Sequence, residues 1–135
     1  DKGAYVVSEC QNPDIIIIAT GSELQIALDS KEILATKNLN ARVISMPCKE
    51  IFDNQEKAYQ DKILGRDTNK KIIYCAIEAG VKQGWHELIG NDGIFIGMKS
   101  FGASAPASDL FTHFEITSQK VVEKVLLAHS TNNFK

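Results

Sequence analysis

The stretch DIIIIATGSE, residues 14–23, constrains the fold more than any other part of this chain. Four consecutive isoleucines place apolar side chains on both faces of a strand. A strand at Ile15–Ile18 must therefore be covered on both faces. Gly21 follows, and the segment 22–37 then places its apolar residues along one stripe of a helix. A buried strand that turns through glycine into an amphipathic helix is the repeating unit of parallel α/β sheets. The sequence therefore predicts an α/β protein.

The rest of the chain continues the alternation of strands and helices. Further strands are predicted at residues 4–8, 41–46, 70–78 and 94–98, and further helices at 55–64, 84–90, 105–114 and 116–128. The strand at 70–78 is expected to end at Ala79-Gly80, and Thr117 is expected to cap the final helix, with a staple between Ile116 and Val121. No helix separates the first strand from the second, so the first is expected to be antiparallel. The predicted fold is a three-layer α/β domain: a five-stranded, mostly parallel sheet with one antiparallel edge strand and helices on both faces.

Composition places the chain among ordinary globular proteins. It has 135 residues, 44% of them hydrophobic and 24% charged, with a net charge of −2, which predicts one domain over residues 1–135. This balance argues against binding to nucleic acid or to an anionic membrane. Three separated cysteines without a C-x-x-C pair, and no signal peptide, favour a cytoplasmic setting. The chain begins without Met, which is expected of a processed chain or of a fragment of a larger subunit.

One candidate site for an anion or small ligand consists of Thr20, Gly21, Ser22 and Glu78. The first three lie where a strand enters a helix, and helix N-termini at strand ends attract anions. Glu78 ends another predicted strand, beside the crevice where open sheets bind ligands. Neither G-x-G-x-x-G nor a G-K-[ST] phosphate loop is present. The spacings Thr20-x-x-Glu23 and Ser22-x-x-Gln25 also match capping boxes, so a purely structural turn is the favoured interpretation and a ligand site the alternative.

No other group of residues predicts catalysis or a metal site. His86-Glu87 lacks the second histidine of a zinc-binding helix, because Gly90 stands there, and His86, His113 and His129 share no ligand spacing. Ser104 is not in a nucleophile elbow, since Pro106 replaces the final glycine, and it is expected to cap a helix. Trp85 and Phe101 are expected in the core or in a subunit contact.

Taken in order, the motifs resemble those of one family. ATGSE follows the second strand, SMP the third, FDNQEKAY comes next, EAG follows the fourth strand, and IGMKSFGASAP precedes the last two helices. This series resembles the C-terminal domain of transketolase over nearly the whole chain, from GAYVV to VVEKVLL. Glu115 departs from the glycine that many relatives carry before the final helix.

The resemblance implies a parent enzyme, in the pentose phosphate pathway, that transfers a two-carbon ketol unit between sugar phosphates with thiamine diphosphate and Mg²⁺. The family's cofactor, metal and substrate residues lie in the two preceding domains, so no catalytic, cofactor or metal residue is carried onto this chain. It also implies contacts with the remaining domains of the subunit and a homodimer. The expected role is structural, in assembly of that dimer; the alternatives are a small-ligand-binding regulatory module, or the equivalent domain of another thiamine diphosphate enzyme.

Overall fold

The computed structural model describes residues 2–81, 85–90, 92–98 and 116–132. The strands in these ranges are β1 Tyr5–Ser8, β2 Ile15–Ala19, β3 Ala41–Ser45, β4 Ile73–Val81 and β5 Ile94–Met98. The helices are α1 Leu24–Ala35, α2 Lys49–Asp53, α3 Lys57–Ile63, α4 His86–Ile89 and α5 Ser118–Asn132, and a 3₁₀ turn spans Gly21–Glu23.

The five strands form one sheet in the order β1-β3-β2-β4-β5. β1 pairs antiparallel with β3, and every other neighbouring pair is parallel. β2 lies at the centre, where Ile15–Ala19 pair with β3 on one side and with β4 on the other. The predicted fold class is confirmed, including the antiparallel edge strand.

The isoleucines of β2 divide between two cores. Ile15 and Ile17 pack with α1 and α5 on one face, while Ile16 and Ile18 pack with α2, α3 and α4 on the other. All four side chains are completely buried. Burial of each is worth about 1.5–3 kcal/mol, so this short strand holds both helical layers to the sheet.

One predicted strand end is wrong, one helix was not predicted, and one predicted helix is not tested. β4 does not end at Ala79-Gly80 but runs to Val81, because a register shift against β5 between Glu78 and Val81 accommodates the extra residues. α2 was not predicted from the sequence; it is only five residues long and is held by the completely buried Phe52. The predicted helix at 105–114, together with Phe101, Ser104 and His113, lies outside the described residues.

The start of α5 agrees with the sequence. The Lys120 N–H donates to Thr117 Oγ1 at 3.1 Å, so Thr117 is the predicted N-cap. Ile116 packs against the core cluster that contains Val121. Because α5 and α1 pack against each other on the same face, this cap fixes one end of the layer that covers β2.

Candidate functional site

Thr20 and Glu78, two of the four predicted site residues, meet at the carboxyl ends of neighbouring parallel strands. Thr20 directly follows β2, and Glu78 lies in β4 beside it. The Thr20 hydroxyl donates to Glu78 Oε1 at 2.7 Å, although the two residues are 58 positions apart in sequence. Both residues are partly buried. Their hydrogen bond therefore links the ends of the two strands at this edge of the sheet.

Gly21 and the backbone of Ser22 form the turn that leads away from this bond. Gly21 has φ 49°, a left-handed conformation that explains a glycine directly after Thr20. The Glu23 N–H donates to the Thr20 carbonyl at 3.0 Å, which closes the 3₁₀ turn Gly21–Glu23 before α1. The Ser22 side chain lies outside what the structure describes.

The predicted capping box at Thr20 is wrong. Thr20 stands at the N-cap of the 3₁₀ turn without a side-chain cap bond, and the Glu23 side chain does not cap α1 either. The N–H that such a cap would bind is used elsewhere, since the Glu23 N–H donates to the Thr20 carbonyl, and the Thr20 hydroxyl is directed to Glu78, to which it donates. Sequence spacing within one segment could not reveal a partner on another strand.

Gly97 is a further residue of this end of the sheet, and it was not among the predicted site residues. It pairs with Glu78 across β4 and β5, and a Cβ built on Gly97 would overlap the Glu78 carbonyl oxygen. β5 therefore approaches the backbone of Glu78 more closely than any residue with a side chain would permit. The available signal was a glycine inside the strand IFIGM, which marks a bulge or a close backbone approach.

The opposite end of the sheet, where the parallel strands begin, is held by charged side chains. Asp14 Oδ2 accepts the Asn40 N–H at 2.9 Å, and Asp14 Oδ1 lies 2.9 Å from Lys70 Nζ. Lys70 Nζ also donates to the Asn12 carbonyl at 2.6 Å. The start of β2 is thereby tied to the segments that precede β3 and β4.

Arg42 of β3 extends this network to the end of β1. Its guanidinium Nε donates to Glu9 Oε1 at 2.7 Å, and Nη1 donates to the Ile63 carbonyl at 2.9 Å and the Lys62 carbonyl at 3.2 Å. Only 14% of the Arg42 side chain is exposed, whereas 56% of Glu9 is. Arg42 is thus a nearly buried cation that joins β1, β3 and the end of α3.

Both carboxylates of this network are stabilised in the charged form. Partial burial acts to raise the pKa of Glu9, but the hydrogen bonds from Arg42 and the Cys10 N–H outweigh it and lower that pKa below its ordinary 4.5. Burial likewise acts to raise the pKa of Asp14, yet the Asn40 N–H and Lys70 lower it below its ordinary 3.8.

A cavity of about 270 Å³ lies at this amino end. Its wall includes Cys10, Arg42, Lys62 and Lys70. Two of these cations already contact carboxylates, Arg42 with Glu9 and Lys70 with Asp14. Burial raises the pKa of the Cys10 thiol, so the nucleophilic thiolate is disfavoured there.

Two further residues in the described ranges, Trp85 and Cys75, are structural. Trp85 is buried, with its ring centroid 6.5 Å from that of Phe95, so it belongs to the core and does not face a partner. Cys75 is completely buried, and burial raises the pKa of its thiol to about 12, as expected of a core cysteine. Within the described ranges, no three His, Cys, Asp or Glu side chains are grouped to hold a metal ion.

Comparison with known proteins identifies the class of protein that this fold defines. Residues 3–117 match the family of transketolase-like C-terminal domains. The chain belongs to this family.

Three relatives illustrate the match. The chain is 43% identical over 126 residues to the transketolase of Aquifex aeolicus, covering 93% of this chain and 18% of the relative. It is 49% identical over 126 residues to the transketolase of Sinorhizobium medicae, covering 92% of this chain and 17% of the relative. Its fold matches a solved transketolase from Leishmania mexicana with a TM-score of 0.75 and 36% identity. The match covers 96% of this chain and 18% of the solved one.

The chain spans less than a fifth of the length of these relatives.

None of the helices in the described ranges is long and apolar enough to cross a membrane.

Proposed function

We propose that this chain is the C-terminal domain of a transketolase subunit. The observation that carries the proposal is the family match over residues 3–117, supported by 40–49% identity to enzymes named transketolase. The five-stranded mixed sheet, which superposes on a solved transketolase with a TM-score of 0.75, also supports it. Residues 1–135 form one domain of the longer polypeptide.

The parent transfers a two-carbon ketol unit from a ketose phosphate to an aldose phosphate in the pentose phosphate pathway. Thiamine diphosphate supplies the carbanion-stabilising chemistry, and Mg²⁺ anchors it. The described residues of this chain do not fit the metal ion, since they offer no cluster of metal-ligating side chains. Both are bound by the preceding domains of a cytoplasmic homodimer.

The role of this domain is structural, in assembly of the subunit and its dimer. Supporting this, polar side chains at both ends of the sheet bind one another: Thr20 binds Glu78 at one end, and Asp14 binds Lys70 at the other. In isolation the domain is inactive.

The test is an activity measurement on the native polypeptide. An antibody against this domain captures the polypeptide from the source cell, and ketol transfer between sugar phosphates is assayed with and without added thiamine diphosphate and Mg²⁺. Cofactor-dependent transfer in the captured material supports the proposal. Absence of transfer, in material that is folded and supplied with both cofactors, contradicts it.

A ligand site at Thr20, Gly21, Ser22 and Glu78 stays a prediction. The observation in its favour is that Thr20 and Glu78 converge at the carboxyl ends of two adjacent strands. Titration of the chain with nucleotides and sugar phosphates tests it, using Thr20→Val as the matched variant. Saturable binding that Thr20→Val weakens would support a regulatory site, and no saturable binding would eliminate it.

A further inference from the structure

The cavity at the amino end of the sheet is built from four separate segments of the chain. Its wall includes Asn12 after β1, Arg42 of β3, Lys62 and Gly65 at the end of α3, and residues 67–70 before β4. Its volume of about 270 Å³ is just below the range of about 300–1,000 Å³ that is usual for pockets of drug-sized molecules. The cavity therefore suits a smaller ligand.

Arg42 contributes hydrogen-bond donors that the fold does not use. Its contacts with the described residues run through Nε, which donates to Glu9, and through Nη1, which donates to two carbonyls at the end of α3. Among the described residues no buried side-chain nitrogen lacks a hydrogen-bond partner, so Nη2, which has none there, is accessible to solvent. A Cβ built on Gly65, which also lines the cavity, would lie 3.8 Å from Nη1. The guanidinium is thus held in place beside the cavity while the N–H groups of Nη2 are available to a ligand.

Two lysines add further donors to the same wall. Lys70 Nζ lies 2.9 Å from Asp14 Oδ1 and donates to the Asn12 carbonyl at 2.6 Å, and an ammonium group with these two partners retains one more N–H. Lys62 is exposed, and its ammonium has no hydrogen bond or ion pair with any described residue. Because the fold already positions Arg42 and Lys70, a ligand that binds them orders only the Lys62 side chain.

The charges of the wall favour one anionic group and disfavour a second. The lining contains the cations Arg42, Lys62 and Lys70 and a single carboxylate, that of Asp67. Glu9, which pairs with Arg42, lies outside the lining. The Asp67 carboxylate has no hydrogen bond or ion pair with the described residues, and as an acceptor it requires a donor from the ligand. A hydroxyl group supplies that donor without adding charge.

We propose that this cavity binds a small phosphate monoester that also carries hydroxyl groups. The phosphate oxygens accept hydrogen bonds from Arg42 Nη2 and from the ammonium groups of Lys62 and Lys70, and a ligand hydroxyl donates to Asp67. A phosphate suits this set better than a carboxylate does, because its three terminal oxygens can reach donors from three segments at once. The site is at the opposite end of the strands from Thr20, and it does not depend on the activity of the parent enzyme.

The proposal is tested by hydrogen–deuterium exchange of the native full-length polypeptide, followed by mass spectrometry during titration with glycerol phosphate. Exchange is measured in peptides that cover residues 10–13 and 65–70. Inorganic phosphate and glycerol are titrated separately at the same ionic strength. Lys62→Gln removes an ammonium group that makes no contact with the described residues. Lys71→Gln is the matched control, since Lys71 is an exposed lysine nearby that does not line the cavity.

Glycerol phosphate is expected to slow exchange in both peptides saturably, and glycerol is expected to have no effect. Lys62→Gln should raise the midpoint of the titration at least about tenfold, while Lys71→Gln changes it less than about twofold. Asp67→Asn should weaken the binding of glycerol phosphate but not that of inorganic phosphate, because only the former brings a hydroxyl to the carboxylate.

Three results would overturn the proposal. The first is the absence of saturable slowing in these peptides. The second is an equal effect of the two lysine substitutions, which would show that general surface charge attracts the anion. The third is an equal midpoint for inorganic phosphate and glycerol phosphate, which would mean that the hydroxyl group is not recognised. None of these results involves ketol transfer, so the proposed function is tested separately.

Discussion

The two ends of the sheet are closed by different chemistry. At the amino end, Asp14, Lys70 and Arg42 join the strands through charge-assisted hydrogen bonds, and Arg42 is nearly buried. At the carboxyl end, a hydroxyl of Thr20 meets a carboxylate of Glu78, and Gly97 permits a close approach of two backbones. Open α/β sheets usually bind ligands at the carboxyl ends of their strands. In this chain that end is determined mainly by the close packing of the β4 and β5 backbones, which we call backbone fit. Among the described residues, the charge-assisted contacts of Asp14, Lys70 and Arg42 lie at the opposite end.

The largest effect is expected from Gly97→Ala at the carboxyl end. The added methyl group would overlap the Glu78 carbonyl oxygen, so β5 must move away from β4, at a cost of at least about 3 kcal/mol. Urea denaturation measures this as a lower free energy of unfolding.

Gly21→Ala is the matched control at the same end. No atom lies within 4 Å of a Cβ at Gly21, so only its left-handed backbone opposes the change, by about 1–2 kcal/mol. Equal effects of the two substitutions would show that close approach at Gly97 does not shape this end.

The next effect is expected from Arg42→Met at the amino end. Loss of the guanidinium leaves the Lys62 and Ile63 carbonyls without this donor, which costs about 2–3 kcal/mol in free energy of unfolding. Glu9→Gln is the control, and because Glu9 is 56% exposed it should cost less than about 1 kcal/mol. If Glu9→Gln were as damaging as Arg42→Met, the ion pair and not the buried donor would hold this end.

Acid is expected to weaken the amino end through Asp14. Its folded-state pKa lies below the ordinary 3.8, so its contribution is complete above that value and is lost as the pH falls through the lower folded pKa. Asp14→Asn should lower the free energy of unfolding by about 1–2 kcal/mol at neutral pH. It should also flatten the acid limb, the fall of the free energy of unfolding with pH below about pH 4. Denaturation curves collected across pH measure both; an unchanged acid limb would mean that Asp14 does not clamp the strand starts.

Apart from the Glu9→Gln control, the smallest effect is expected from Thr20→Val at the carboxyl end. The change keeps the shape of the side chain and removes one hydrogen bond to a partly exposed carboxylate, at a cost of about 1 kcal/mol. A loss above about 3 kcal/mol would contradict the view that backbone fit dominates this end.

The sequence predicted the architecture well because hydrophobic pattern determines it. The run Ile15–Ile18 required two covered faces, and the structure places alternate residues in separate cores. Thr117 was predicted correctly as a cap, since the bond it makes is local in sequence. No helix separates β1 from β2 in the sequence, and this absence was enough to predict that β1 is antiparallel.

The sequence predicted the ends of the sheet less well because their contacts are distant along the chain. A local spacing suggested that Thr20 caps its own helix, whereas its partner Glu78 is 58 residues away. Asp14, Arg42 and Lys70 carry no motif, and only the register of three strands brings them together. The glycine inside β5 signals a bulge or a close backbone approach, but the residue that Gly97 approaches is set by the pairing with β4, which β5 alone does not encode.

The most direct test of the account is the mass of the native polypeptide that carries this domain, measured by blotting the source cell with an antibody to residues 1–135. In the Aquifex aeolicus relative, 126 matched residues make up 18% of the length, which gives a parent about five times as long as this chain. The account predicts a band about five times larger than 14.9 kDa. A band near 14.9 kDa would contradict it, because the domain would then exist without the subunit that it is proposed to assemble.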